Sequence, residues 1–327
     1  MKEKSGFRFR WLGKPSRHLV ASMLIPIMLV CVATLPMANA QTFARVGALP
    51  LISGEADLYS AVVDVAGGFA YFGTGTLPGI VVKVRLSDFT RVGALPLISG
   101  ENWLPSAVID VAGGFAYFGT GTSPGIVVKV RLSDFTRVGA LPLISGENSL
   151  LSAVIDVAGG FAYFGTNTVP GIVVKVRLSD MTRVGALPLI SGEDRLQSAV
   201  IDVAGGFAYF GTYTSPGIVV KVKLSDMTRV GALPLNLGEN GLYSAVIDVA
   251  GGFAYFGTDT SPGIVVKIEV GAPPPPPPPP PTTTRAAPVG GILSAADKLA
   301  IVAPYLTLLG LVGAVLAIAV VKKKPRN

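Results

Sequence analysis

Between residues 41 and 270 the apolar residues come in short runs, never at the three-to-four spacing of an amphipathic helix. In Gly125–Leu132, Ile126, Val128, Val130 and Leu132 alternate with Val127, Lys129 and Arg131, the period of a β-strand. Ser106–Val111 reads as a strand before it, and Phe115–Thr120, rich in aromatic residues, as another. Phe135–Leu143 gives a fourth, with Pro142 suited to a sheet edge, where a missing N–H costs little. Gly113-Gly114 and Ser133-Asp134 mark the turns between them.

This four-strand pattern repeats. Arg-Val-Gly-Ala-Leu-Pro-Leu begins at Arg45, Arg91, Arg137, Arg183 and Arg229, a step of 46 residues, which defines units 45–90, 91–136, 137–182, 183–228 and 229–270. Units 91–136 and 137–182 differ at only five positions: Trp103/Ser149, Pro105/Leu151, Gly121/Asn167, Ser123/Val169 and Phe135/Met181. Four strands in such a period fit a propeller blade, whose repeats run to about 40–50 residues. Solenoid rungs are shorter, and isolated beads of this size would lack a sufficient core. The predicted fold class is all-β, a five-bladed β-propeller. The chain enters on a fourth-type strand (Phe43–Leu51) and leaves on a third-type one (Gly263–Val270). The N-terminal strand is therefore predicted to complete the last blade and hide its edge.

The two ends predict a different environment. Residues 1–18 are basic, Leu19–Leu35 is apolar, and Ala38-Asn39-Ala40 supplies small residues before Gln41, the order of a secretory signal peptide over 1–40. The stretch is also just long enough for an uncleaved anchor. Leu299–Val321 holds 23 residues without a charge, enough for a single transmembrane helix, and Lys322, Lys323, Lys324 and Arg326 follow it. Both readings of the N-terminus leave residues 41–298 outside the cell and residues 322–327 in the cytoplasm. Residues 272–298 form a linker whose nine consecutive prolines, Pro273–Pro281, predict a stiff polyproline spacer.

Charge follows this layout. Of the net +7, residues 1–18 carry +5 and the tail +4, so the middle stands at −2. That argues against nucleic acid as a partner. The only cysteine, Cys31, and the only histidine, His18, both precede residue 40. A mature chain would have neither thiol nor imidazole, which excludes disulfides, Cys/His metal sites and triads built on either group. No cofactor is predicted.

Two motifs carry a resemblance. Ser-Ala-Val-Ile-Asp-Val-Ala-Gly-Gly-Phe-Ala-Tyr-Phe-Gly-Thr followed by Pro-Gly-Ile-Val-Val-Lys-Val resembles the YVTN-type β-propeller repeat of surface-layer and cell-surface proteins, archaeal ones above all. The signature falls on Tyr71-Phe72-Gly73-Thr74, Tyr117-Phe118-Gly119-Thr120 and their later copies, with the tyrosine in register. The resemblance spans residues 43–270 and implies an extracellular binding or structural role without catalytic residues.

Differences between the units cluster at two places. One is Asp57, Trp103, Ser149, Arg195 and Gly241, with Tyr59, Pro105, Leu151, Gln197 and Tyr243 two positions on; the other is Gly75, Gly121, Asn167, Tyr213 and Asp259. In a propeller these loops share one face, and loops on a rigid scaffold commonly carry binding. Asp57, Tyr59, Trp103, Asn167, Arg195, Tyr213, Tyr243 and Asp259 are the candidate binding residues, for an extracellular protein or glycan, with self-association a further partner class. Drift at exposed loop tips is the competing explanation.

The repeated acidic positions suggest less. Asp64, Asp110, Asp156, Asp202 and Asp248 read as partners of the Gly-Gly turn. Glu55, Glu101, Glu147, Glu193 and Glu239 form a possible calcium ring but lack EF-hand spacing. Lys83, Arg85 and their copies read as solvated strand faces. The function expected is structural, adhesive or binding at the cell surface; the alternative is a multivalent lectin, and an enzyme is not expected.

Overall fold

The computed structural model describes residues 44–271. Their regular structure is β throughout, nineteen strands in five sheets. The first sheet runs β1 (Leu58–Asp64), β2 (Phe69–Thr74), β3 (Ile80–Arg85), β4 (Thr90–Pro96). The second has β5 (Ser106–Asp110), β6 (Phe115–Gly119), β7 (Ile126–Arg131) and β8 (Thr136–Pro142). The third has β9 (Leu150–Asp156), β10 (Phe161–Thr166), β11 (Ile172–Arg177) and β12 (Thr182–Pro188). The fourth has β13 (Leu196–Asp202), β14 (Phe207–Thr212), β15 (Ile218–Lys223) and β16 (Thr228–Pro234). The fifth has three strands, β17 (Leu242–Asp248), β18 (Phe253–Thr258) and β19 (Val265–Glu269). The expected signal segment, proline spacer, membrane span and tail lie outside the described residues.

Residues 44–246 and 255–267 belong to one compact unit, and 247–254 with 268–271 to a second. In the small unit, Gly251 N–H donates to Asp248 Oδ1 at 2.8 Å and Val270 N–H to the Gly252 carbonyl at 2.9 Å.

Strand pairing is antiparallel and in the same register in each of the first four sheets, for example Phe115↔Arg131 and Phe161↔Arg177. The turn aspartates do what Asp does before Gly-Gly. Asp64 Oδ1 accepts from Gly67 N–H at 2.7 Å, and Asp110 and Asp156 repeat the bond at Gly113 and Gly159.

The core lies between successive sheets. Tyr71, Val81 and Leu97 of the first meet Leu104, Phe118 and Val128 of the second. Val108, Tyr117 and Val127 meet Leu150, Phe164 and Val174, and Val154, Tyr163 and Val173 meet Leu196, Phe210 and Val220. Each such side chain is worth about 1.5–3 kcal/mol when removed from water. The approach is close because glycine faces leucine. A Cβ on Gly165 would lie 2.7 Å from Leu196 Cβ, and one on Gly171 would lie 2.8 Å from Leu196 Cγ. Polar bonds tie the same seam: Ser152 Oγ donates to the Leu196 carbonyl at 2.7 Å, and Gly171 N–H to the Glu193 carbonyl at 2.8 Å. Both bonds recur at each of the other three seams, from Ser60, Ser106 and Ser198 and from Gly79, Gly125 and Gly217.

The lysines of the third strands are not solvated as the sequence suggested. Lys83, Lys129 and Lys175 are buried. Lys129 Nζ sits 4.0 Å above the Phe115 ring and donates to the Leu178 carbonyl of the next sheet at 3.1 Å. Burial pulls the affinity of these amines for their protons below its usual range. Alternation implied one wet face, but stacking covers both in β3, β7 and β11, where only Arg85, Arg131 and Arg177 at the strand ends are exposed, each paired with an aspartate three residues on.

Each of the first four sheets also closes on itself through an ion pair. Arg137 meets Glu101 with Nε at 2.9 Å and Nη2 at 2.5 Å. Arg91–Glu55, Arg183–Glu147 and Arg229–Glu193 repeat it. These carboxylates are committed to guanidinium groups, a bidentate pairing that answers the proposed calcium ring with a simpler use.

The predicted closure by Phe43–Leu51 does not occur in this structure; Phe43 itself lies outside the described residues. Residues 44–50 form no strand, Val46 is fully exposed, and the fifth sheet keeps three strands. The physical reason is the fifth seam. Leu104, Leu150, Leu196 and Leu242 are wholly buried, whereas Leu58, their counterpart, is 49% exposed. Val265 is 72% exposed where Val127 and Val173 are at 0%. Without that seam, the segment before β1 is not brought to the edge of β19.

Two outcomes follow from this packing. Gly171→Ala should cost about 1–3 kcal/mol through overpacking. Gly263→Ala, at the equivalent position but with only Thr260 O within 4 Å at 3.9 Å, should leave stability unchanged or raised by about 0.5 kcal/mol. Urea unfolding at low protein concentration compares the two. Second, burial chiefly, with Asp64, Asp110, Asp156 and Asp202 adding repulsion, pushes the phenols of Tyr71, Tyr117, Tyr163 and Tyr209 from 10.0 up to about 12. A phenol that ionises later in the fold than in the unfolded chain favours folding below pH 10, and that contribution is lost towards pH 12. Stability should fall across that window, with absorbance at 295 nm rising in step with unfolding.

Candidate functional site

The variable residues lie in two loops per sheet, and backbone bonds hold those loops together. Gly121 N–H donates to the Trp103 carbonyl at 2.7 Å; Asn167 to Ser149, Tyr213 to Arg195 and Asp259 to Gly241 do the same at 2.7–2.9 Å. The two variable sets are thus facing partners. Trp103 lies against Gly121, where any Cβ would sit 1.9 Å from the indole Cε3.

The loop between second and third strands is set by threonine. Ile126 N–H donates to Thr120 Oγ1 at 2.9 Å, and Thr122 Oγ1 donates to the Pro124 carbonyl at 2.8 Å. The Thr120 hydroxyl is left to donate to Thr122 Oγ1, 2.5 Å away. A cis peptide precedes the proline of this loop in all five sheets.

The first variable position has a left-handed backbone in every sheet: φ is 55° at Asp57, 47° at Trp103, 48° at Ser149, 52° at Arg195 and 55° at Gly241. Only glycine takes this conformation without cost. Large side chains kept there at Trp103 and Arg195 carry strain that the rest of the fold sustains. Phe89, Phe135, Met181 and Met227 share positive φ in the opposite turns, where Phe135 packs on the Tyr71 ring at 5.8 Å.

These tips converge on one cavity of about 670 Å³. Tyr59, Pro105, Leu151, Gln197 and Tyr243, one equivalent position from each sheet, all line it. Six of the eight predicted site residues are there: Tyr59, Trp103, Asn167, Arg195, Tyr213 and Tyr243. Two edge-on aromatic pairs stand in the wall, Tyr59–Trp103 and Tyr213–Tyr243, each with ring centroids 5.5 Å apart. Asp259 lines a smaller hollow of about 220 Å³ with Tyr213 and Asn240. There Tyr213 Oη donates to Asp259 Oδ2 at 3.0 Å, and that carboxylate raises the phenol above its ordinary value. Asp57 lines neither hollow and sits exposed beside Gly75.

Two polar atoms here went unnoticed in the sequence. Trp103 Nε1 and Asp194 Oδ1 are buried without a hydrogen-bond partner. Nothing in residue type or spacing announces them, because both follow from how neighbouring loops close over the side chain. The wall offers flat aromatic area, an amide at Asn167, another at Gln197 and a guanidinium at Arg195, a set suited to binding.

No protein-family model matches the chain, and no curated protein matches it by sequence. Among solved structures it is similar to the β-propeller domain of Cps50 (Swd1) from Myceliophteria thermophila, at 12% identity and a TM-score of 0.50. The match covers 64% of this chain and 64% of that one. The fold is a five-bladed β-propeller. At such identity the likeness bears on fold alone, and the chain spans about 64% of that propeller's length. The sheets are its blades, numbered one to five along the chain, and the cavity opens where their variable tips meet.

Trp103→Phe removes a buried, unpartnered N–H while keeping an aromatic ring. Its urea midpoint should match the parent or exceed it slightly, within about 1 kcal/mol.

Proposed function

We propose that this propeller is a recognition module displayed at the cell surface, held off the membrane by the proline run and anchored by Leu299–Val321. The motif likeness to YVTN-type surface propellers supports that placement, as do the basic residues after the apolar stretch. The observation that carries the binding role is the convergence of five differing tips on one cavity. The blades are near-copies elsewhere, yet the facing pairs read Trp103/Gly121, Ser149/Asn167, Arg195/Tyr213 and Gly241/Asp259.

Five equal sugar sites would need five equal pairs. The differences favour a single composite site, taking an extracellular protein segment or short glycan across the cavity mouth. A lectin with repeated weak sites gaining by avidity is the second reading, favoured by the tyrosines Tyr59 and Tyr243 at one equivalent position. Catalysis is not part of the proposal.

The test is a glycan array and a cell-binding screen with full-length protein in detergent. Specific binding that Trp103→Ala and Tyr213→Ala each weaken by about tenfold or more is expected, since central aromatic anchors dominate such sites. Binding unchanged in both variants would remove the cavity from the account. Silence on every surface would remove the recognition role.

A further inference from the structure

Blade 5 is incomplete in a specific way. Among the described residues it has no outer strand, and the positions one period after Arg229–Leu235 fall in the proline run, with Pro275 where a sixth arginine would stand. Proline has no N–H to give a strand ladder. Glu239, the counterpart of Glu101, meets no arginine among the described residues and accepts from Asn236 N–H at 2.8 Å. Ser244, the counterpart of Ser152, is exposed, and Leu58 offers its carbonyl to no serine among the described residues. Val246 and Val265 stand in water on one side of this unformed seam, and Leu58 and Leu86 on the other.

The missing pieces are all present at the other end of the chain. Arg45–Leu51 has the same sequence as Arg91–Leu97, Arg137–Leu143 and Arg183–Leu189. It is unpaired, with Arg45 exposed and in no ion pair among the described residues. In blade 1, Val81 lies opposite Leu95 and Lys83 opposite Gly93; the same register sets Leu49 against Val265 and Gly47 against Lys267. It also brings Arg45 to Glu239.

We propose that copies of this chain join head to tail, with Arg45–Leu51 of one copy laid along β19 of the next. The donated segment becomes the fourth strand of the recipient's last sheet, by addition to an exposed edge. The pairing is the one that third and fourth strands already make four times within the chain, so no new complementarity is needed. Each copy keeps one donor end and one acceptor end, which makes the contact heterologous and open to linear growth. A second copy is favoured over the chain's own N-terminus because Arg45–Leu51 is described in this structure and forms no strand on its own β19.

The test uses full-length protein in detergent with Cys31→Ala as background. Leu49→Cys and Val265→Cys are made in separate preparations, mixed and oxidised. A disulfide between the two can form only between copies, and a cross-linked dimer that neither preparation gives alone is expected. The doubly substituted chain should give a ladder on a non-reducing gel. An internal disulfide in a monomer would instead show that the segment folds back on its own blade 5, and free thiols throughout would show that it pairs with neither. Either result overturns the proposal. Arg45→Glu should weaken self-association by about tenfold through loss of a bidentate charged pair, and Arg45→Glu with Glu239→Arg should restore it. Association indifferent to both changes would also overturn it.

Discussion

In blades two to five a leucine lies over two glycines of the blade before it, and the rest of the molecule is spaced by that contact. Leu196 touches the positions where Gly165 and Gly171 would carry side chains, so two sheets approach until their valines interlock. That closeness has two electrostatic consequences. Lysines rising from the third strands lose water on both sides and settle over aromatic rings, with a carbonyl of the neighbouring blade as their acceptor. Glutamates just before the first strands of blades one to four are likewise enclosed, and only a bidentate arginine from the outer strand makes their burial tolerable.

Much of this was legible. A period of 46 residues located the blades, and alternation with turn chemistry located strands to within a residue or two, as at Phe115–Gly119 and Thr136–Pro142. The variable loops were read onto one face correctly because strand order alone decides that. What escaped depends on a third dimension that periodicity does not contain. Lys129 alternates like a solvent-facing residue, and only the next sheet, 49 residues on at Leu178, makes it an interior one. The open fifth seam escaped for the opposite reason: counting strands shows that a partner exists for blade 5, but not which molecule supplies it.

The site inherits its geometry from the same stacking. Each blade sets its first variable residue at positive φ, where its carbonyl accepts an N–H from the loop between second and third strands. Volume is exchanged across that gap. The largest residue, Trp103, faces a glycine, while Gly241 faces Asp259 and Ser149 faces Asn167. A change on one loop is therefore accommodated on the other without disturbing the strands beneath.

Seam and rim accordingly obey opposite rules. At the seam a single added methyl group collides with a neighbouring blade, so every copy carries the same glycines, serines and leucines. At the rim the tips bear on one another and on solvent, and the copies diverge. Five near-identical sheets can then hold five different residues round one cavity, because the contact that fixes their spacing leaves the tips out of the packing. Drift alone would scatter substitutions over all exposed loops. The Ser-Asp turns at the opposite ends of the blades are as exposed at Arg85–Asp88 and Arg131–Asp134, yet they scarcely change from copy to copy. Exposure is therefore not what permits the difference at the rim, and the recognition role proposed for the cavity would account for it.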